Sequence, residues 1–208
     1  MSAIFREEMN LMEGLPEALA RRDEKRFSEL CYGAVVPCYD EEDASMKLAE
    51  SFFDFLITMA RSTEFLEWPE AGSLYVIFYY DWERLTVEQR QRLLATIRET
   101  FPKMLSIYST FEVQDLLVEK FGPVEACRVF EGFVHHGSPN QRQTVKSGCE
   151  LIIGSGPDPD IYRRCRNCLT ILTHDPDEDL REGAIYFLES LARNEVDRAA
   201  RGLPPPRG

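Results

Sequence analysis

The stretch Asp175-Pro176-Asp177-Glu178-Asp179-Leu180-Arg181-Glu182-Gly183-Ala184-Ile185-Tyr186-Phe187-Leu188-Glu189-Ser190-Leu191-Ala192 has the pattern of a helix with a marked beginning. Its aspartates can accept hydrogen bonds from the free amide groups of a first helical turn. Ala184, Leu188 and Leu191 then follow at the spacing that places them on one helix face. The stretch therefore predicts an amphipathic helix that packs against a neighbouring element.

Similar helix starts occur twice upstream, at Ser138-Pro139-Asn140 and at Pro157-Asp158-Pro159-Asp160. Pro139, Pro157 and Pro176 stand 18 and 19 residues apart. A pair of helices therefore takes up about 37 residues, a period typical of helical solenoids. In such folds each helix pair covers the apolar face of the next pair.

The stretch 175–192 resembles the second helix of a HEAT repeat. That motif has an Asp-Pro-rich turn, an acidic residue, an apolar residue, an Arg, and then small and leucine positions facing inward. The resemblance is clearest over 175–192, is weaker over 138–153 and does not extend to residues before about 105. It implies an all-α fold of antiparallel helix pairs, stacked as a short HEAT-like α-solenoid whose surfaces bind other proteins.

Helix boundaries can also be predicted farther upstream. Thr86 with Gln89, and Ser109 with Glu112, have the spacing of a capping box, and Gly122-Pro123 is expected to end one helix and begin the next. The stretch 73–80, Ser-Leu-Tyr-Val-Ile-Phe-Tyr-Tyr, is rich in residues that favour strands. We expect a helix there, because a lone strand among helices would leave its backbone groups unpaired.

The domain prediction is one helical domain over residues 1–200, followed by a disordered Pro-rich tail at 201–208. Within the domain, residues 1–83 form an acidic part and residues 84–200 the HEAT-like part; whether the acidic part continues the repeat stays open. The N-terminus lacks the pattern of an export signal, so we expect a cytoplasmic protein with six reduced cysteines. No apolar run is long enough for a membrane span.

Negative charge is concentrated in the first part of the chain. The whole chain has 24 basic and 36 acidic residues, a net charge of −12. Residues 1–83 hold 7 of the basic and 18 of the acidic residues, and ten aromatic residues lie between Phe52 and Trp82. This charge argues against nucleic acid as a partner and favours a basic protein. The alternative interpretation is an acidic, solvated face over an aromatic core.

If residues 40–83 bind a partner, exposed carboxylates would steer a basic protein and aromatic side chains would anchor it. The candidate partner-binding residues are Asp40, Glu41, Glu42, Asp43, Glu64, Glu67, Trp68, Glu70, Tyr79, Asp81, Trp82 and Glu83.

Several groups of residues allow a chemical interpretation beside a structural one. Cys165 and Cys168, with His174 nearby, have the Cys-x-x-Cys spacing of zinc or redox sites, but both fall on an apolar helix stripe, so we expect core packing. The pair His135-His136 is expected to lie at a helix C-terminus. The paired aspartates at 158 and 160, and at 177 and 179, are better explained as helix caps than as calcium ligands.

Fingerprints of phosphate loops, nucleophile elbows, zinc helices and dinucleotide sites are absent from the sequence. We expect no catalytic residues, no cofactor and no metal, and therefore a non-enzymatic protein-binding module for a basic partner. A class-level resemblance to small acidic bacterial immunity proteins suggests the neutralisation of a cognate toxin. The alternatives are a general adaptor or scaffold, and a HEAT-like enzyme such as a lyase or glycosylase. Oligomeric state stays open.

Overall fold

The computed structural model describes residues 3–33, 47–71 and 74–201, and every regular element among them is helical. The all-α prediction is therefore confirmed for this part of the chain. Of the tail predicted to be disordered at 201–208, Arg201 is described, in a turn, and residues 202–208 lie outside the described residues. The chain divides into two compact units, Met1–Leu116 and Leu117–Gly208, so their boundary falls beyond the charge boundary at Glu83.

Seven described α-helices belong to the first unit. They are α1 (Ala3–Arg21), α2 (Glu24–Gly33), α3 (Glu50–Arg61), α4 (Thr63–Leu66), α5 (Leu74–Tyr80), α6 (Val87–Thr100) and α7 (Ile107–Asp115). Short 3-10 turns at Trp82–Arg84 and Phe101–Lys103 stand before and after α6. Helix α5 packs against both α2 and α7, while α3 packs against α1 and α6.

Aromatic side chains form the core of the first unit. The ring of Phe27 meets Trp68 edge to face at 5.5 Å, and Phe53 meets Phe78 in the same way at 5.9 Å. Such edge-to-face contacts add to the burial of large apolar areas. The aromatic residues of the 40–83 segment therefore serve in large part to build this core.

Two of the predicted helix boundaries in this unit have different outcomes. Thr86 and Gln89 form the predicted capping box, with Gln89 N donating to Thr86 Oγ1 at 3.2 Å and Thr86 N to Gln89 Oε1 at 2.9 Å. The box predicted at Ser109 is wrong, because α7 begins earlier and Ser106 is its N-cap. The Ser109 hydroxyl instead donates to the carbonyl oxygen of Ala71 at 2.6 Å.

The second unit contains α8 (Pro123–Phe133), α9 (Pro139–Gly154), α10 (Pro159–Leu172) and α11 (Glu178–Ala200). Each of these helices contacts the next, and α8 also contacts α10 while α9 contacts α11. Ser138 and Gln141 form a reciprocal capping box at the start of α9.

The expected aspartate caps are present at two of these helices. Asp158 Oδ1 accepts from the amides of Asp160 and Ile161, at 2.9 and 3.1 Å, and Asp177 Oδ1 accepts from Leu180 N at 3.1 Å. These bonds confirm Asp158 and Asp177 as caps, because they satisfy amide groups that have no partner within the helix.

A π-helical turn at Leu116–Phe121 ends at Gly122, as the Gly-Pro pair predicts. Gly122 has a φ of 89°, in the left-handed region, and Pro123 occupies the first turn of α8.

None of the described helices combines the length and the apolar character that a membrane span requires.

Candidate functional site

The first unit has a pocket whose walls combine tyrosine rings with carboxylates. Its volume is about 230 Å³, and it is lined by Tyr32, Val76, Tyr79, Tyr80, Glu112 and Asp115. Tyr32 comes from the end of α2, the two adjacent tyrosines from the end of α5, and the carboxylates from α7. Because α5 packs against both α2 and α7, the three helix ends meet around one cavity.

The sequence of α5 explains why its last residues reach the pocket. Tyr75 and Phe78 point into the core, where the Tyr75 hydroxyl lies 3.1 Å from Thr100 Oγ1. Tyr79 is half-buried and Tyr80 is exposed, and their rings meet edge to face at 5.2 Å. The first five residues of α5 are buried, and only its terminal aromatic pair reaches the surface.

Helix α7 also has both buried residues and residues that reach the surface. Its buried face includes Thr110 and Val113, whereas Glu112 is half-buried and Asp115 is exposed. The pKa of the Cys31 thiol is raised by burial and further by the negative charge of Glu112. The Glu112 carboxylate therefore acts electrostatically on the end of α2, the helix that also supplies Tyr32.

None of the six residues that line this pocket is basic. Tyrosine rings attract cations through their faces, and carboxylates attract them by charge and accept their hydrogen bonds. The pocket therefore suits a cationic group better than an anionic or a purely apolar one.

The twelve predicted partner-binding residues differ in their exposure to solvent. Glu64, Glu67, Glu70 and Glu83 are exposed, and Tyr79 lines the pocket. Trp68, Asp81 and Trp82 are buried. Asp40, Glu41, Glu42 and Asp43 lie outside the described residues.

The buried members have partners inside the unit. Trp68 packs on Phe27, and the guanidinium of Arg90 lies 4.6 Å from the ring centre of Trp82. Asp81 accepts from Arg84 Nη1 at 2.9 Å. These contacts belong to the core, so the surface available to a partner is provided by other residues.

Five residues of the pocket were missed by the sequence prediction. Val76 and Tyr80 belong to the 40–83 segment, whereas the other three, Tyr32, Glu112 and Asp115, come from outside it. They lie on either side of the 40–83 segment, on helices with no unusual composition of their own. Only the packing of α2 and α7 on α5 brings them beside Tyr79. An isolated sequence carries no signal for that contact.

The other residues with a possible chemical role occupy structural positions. Cys165 and Cys168 are buried in the core of the second unit, as predicted. Helix α8 ends at Phe133, and His135 and His136 lie exposed in the turn that follows, which confirms their expected position. Among the described residues, no group of three or more His, Cys, Asp or Glu side chains is arranged to hold a metal ion.

No protein-family model, curated protein or solved structure matches this chain.

Proposed function

We propose that this protein is a non-enzymatic binding module that captures a basic partner protein. The single observation that carries the proposal is the tyrosine and carboxylate pocket of the first unit, which combines Tyr32, Tyr79 and Tyr80 with two acidic side chains. A Lys or Arg side chain of the partner would enter the pocket and lie against the tyrosine rings, with its charged end beside Glu112 and Asp115.

The energetics of such a contact are favourable for recognition. A cation over an aromatic face contributes about 0.5–1 kcal/mol at an exposed site and about 2 kcal/mol when it is desolvated. Tyrosine loses little rotamer entropy on binding and is frequent among residues that dominate interface energies. The net charge of −12 would add long-range attraction for a basic protein.

In its sharper form, the proposal is an immunity protein that neutralises a cognate toxin. An inhibitor of this kind needs an acidic surface that covers a basic cleft in the toxin. The support is the charge of the first part of the chain, where residues 40–83 hold 11 acidic and 2 basic residues. A general adaptor would use the same pocket for several partners, and the experiment below separates the two.

For the second unit, we propose that the helices stack as antiparallel pairs of a short HEAT-like solenoid. The support is the regular succession of capped starts at Pro139, Pro159 and Glu178, with contacts between each helix and the next. Contacts of α8 with α10, and of α9 with α11, are those expected when successive pairs cover one another's apolar faces.

The test is affinity capture from the native host with three versions of the full chain: wild type, Tyr80→Ala and Tyr108→Ala. Tyr80 is 57% exposed and lines the pocket, whereas Tyr108 is 58% exposed and does not. The two substitutions therefore remove the same side chain from equally exposed places. Loss of a central tyrosine contact should weaken binding by about tenfold or more, which corresponds to about 1.4 kcal/mol.

One basic protein, recovered at near-equal stoichiometry by wild type and Tyr108→Ala but not by Tyr80→Ala, is the expected result. Toxicity of that protein when it is expressed alone would support the immunity role. Several unrelated proteins lost together in Tyr80→Ala would favour an adaptor. Equal recovery by all three versions would contradict the pocket as the binding site, and an acidic partner would contradict the proposal as a whole.

A further inference from the structure

Four cysteines gather in the core of the second unit. Cys127 lies on α8, Cys149 on α9, and Cys165 and Cys168 on α10. All four side chains are at most 2% exposed. Burial alone is ordinary for cysteine, which behaves as a small apolar residue in protein cores. The unusual feature is that thiols from three different helices converge.

Cys127 and Cys165 are in direct contact, with their Sγ atoms 3.1 Å apart. Their two helices, α8 and α10, pack directly on each other. The two residues are 38 positions apart in sequence. The contact therefore joins distant parts of the second unit and is formed only in the folded state.

Hydrogen bonds among the thiols make the two members of this pair unequal. Hydrogen bonds with Cys127 and Cys149 lower the pKa of Cys165, and the nearby guanidinium of Arg164 lowers it further. The pKa of Cys127 is raised by its hydrogen bond to Cys165 and by burial. The negative charge is therefore favoured on Cys165, with the proton held on Cys127, and a thiolate is the nucleophilic form of cysteine.

We infer that Cys127 and Cys165 form an oxidation site that reacts with a small peroxide and closes a reversible disulfide between α8 and α10. The Cys165 thiolate attacks one peroxide oxygen and breaks the O–O bond, which gives a sulfenic acid and releases hydroxide. The Cys127 sulfur then attacks Cys165 Sγ and gives its proton to the sulfenic hydroxyl group, which leaves as water. The proton that Cys165 released on ionisation neutralises the hydroxide of the first step. Overall two thiols lose two electrons, and one hydrogen peroxide becomes two waters.

Burial selects the kind of oxidant that this site can take. Hydrogen peroxide is little larger than water and can enter a core during local openings, whereas a bulky disulfide such as oxidised glutathione needs much wider opening. The sulfur atoms of Cys127 and Cys165 are already in contact, so Cys127 would react with the sulfenic acid of Cys165 before that group is oxidised further. The bridge would close a loop of 38 positions and restrict the unfolded chain.

The test treats the native, reduced full chain with increasing hydrogen peroxide and then blocks the remaining thiols by alkylation. Intact mass and non-reducing peptide mapping identify the products. The matched variants are Cys165→Ala and Cys168→Ala, which change buried thiols on the same helix. A parallel sample unfolded in urea reports the reactivity that the cysteines have without the fold.

The expected result is a loss of two hydrogen masses in wild type and in Cys168→Ala, with the peptides of Cys127 and Cys165 joined and separated again by dithiothreitol. Cys165→Ala should lack this product, and the oxidised wild type should melt several degrees higher than the reduced one. The inference is overturned if wild type joins a different pair. It is also overturned if wild type gives only sulfinic and sulfonic acids, or stays reduced at peroxide concentrations that oxidise the unfolded sample.

Discussion

Asp175 is a buried carboxylate that connects two helices of the second unit. Its Oδ2 accepts from Arg142 Nε at 2.6 Å, and its Oδ1 accepts from Arg142 Nη2 at 2.9 Å. The amide of Asp177 also donates to Oδ1, at 2.9 Å. Such a bidentate contact restrains the orientation of both side chains and pairs their opposite charges. Asp175 therefore holds the start of α11 against α9.

This ion pair predicts a specific pH dependence of stability. Burial alone would raise the pKa of Asp175, but the hydrogen bonds from Arg142 and Asp177 N outweigh it and leave the pKa below its ordinary value of 3.8. A lowered folded-state pKa stabilises the fold above the ordinary value, and the contribution is lost as the pH falls through the folded-state pKa. Asp175→Asn should lower the free energy of unfolding at neutral pH by about 3 kcal/mol, because Arg142 loses its buried partner.

Urea unfolding between pH 7 and pH 2 measures both effects, and Asp160→Asn serves as the control. Asp160 is exposed and pairs with exposed Arg163, so its loss should change stability by less than about 1 kcal/mol. Wild type and Asp175→Asn should approach each other in stability at the acid end. A constant gap between them at all pH values would show that the charge of Asp175 does not matter.

At the scale of elements, Gly122 and Gly132 both have room for a Cβ but differ in backbone conformation. An added Cβ would meet nothing within 4 Å at either position, but Gly122 has a φ of +89° and Gly132 lies inside α8. Gly122→Ala should therefore lower the free energy of unfolding by about 1–2 kcal/mol, since alanine is strained in the left-handed region. Gly132→Ala should raise it by about 0.5–1 kcal/mol, because alanine favours the helix.

Thermal and denaturant unfolding of the two variants, side by side with wild type, measure this difference in sign. Equal effects of the two substitutions would mean that Gly122 does not determine where α8 begins.

Helix starts were predictable where the signal is local. The capping boxes at Thr86 and Ser138, and the Asp158 cap, need only side chains that reach the first turn of their own helix. The same rule failed at Ser109, because Ser106 was available as a cap and the Ser109 hydroxyl binds a carbonyl distant in sequence. The position of Tyr32 in the pocket could not be predicted either, because it depends on a contact between helices that are distant in sequence.

At the scale of the whole molecule, the aromatic residues and the charges of the 40–83 segment have different roles. Trp68 and Trp82 are buried and stabilise the first unit, whereas Glu64, Glu67 and Glu70 remain exposed. The sequence indicated that both kinds of residue are enriched together, but burial could not be inferred from composition. The exposed charges are available for long-range attraction, and the pocket tyrosines are available for contact.

This division predicts how salt affects association with the proposed basic partner. Charge steering acts over distances that salt shortens, from about 10 Å at 0.1 M to about 3 Å at 1 M. The association rate of wild type should therefore fall about tenfold or more between low and high salt, with a smaller change in the dissociation rate. Stopped-flow fluorescence or surface plasmon resonance over a series of salt concentrations measures both rates.

The contribution of the acidic run is tested by replacing Asp40, Glu41, Glu42 and Asp43 with Asn or Gln. The matched control neutralises four exposed acids of α11, namely Glu178, Asp179, Glu182 and Glu189. Both variants lose four negative charges, so a difference between them reports position rather than net charge. The first variant should associate more slowly and with a weaker salt dependence than the control, at nearly unchanged thermal stability. If the association rate of wild type does not depend on salt, electrostatic steering is contradicted. If both variants associate equally slowly, the steering comes from the net charge alone and not from residues 40–43.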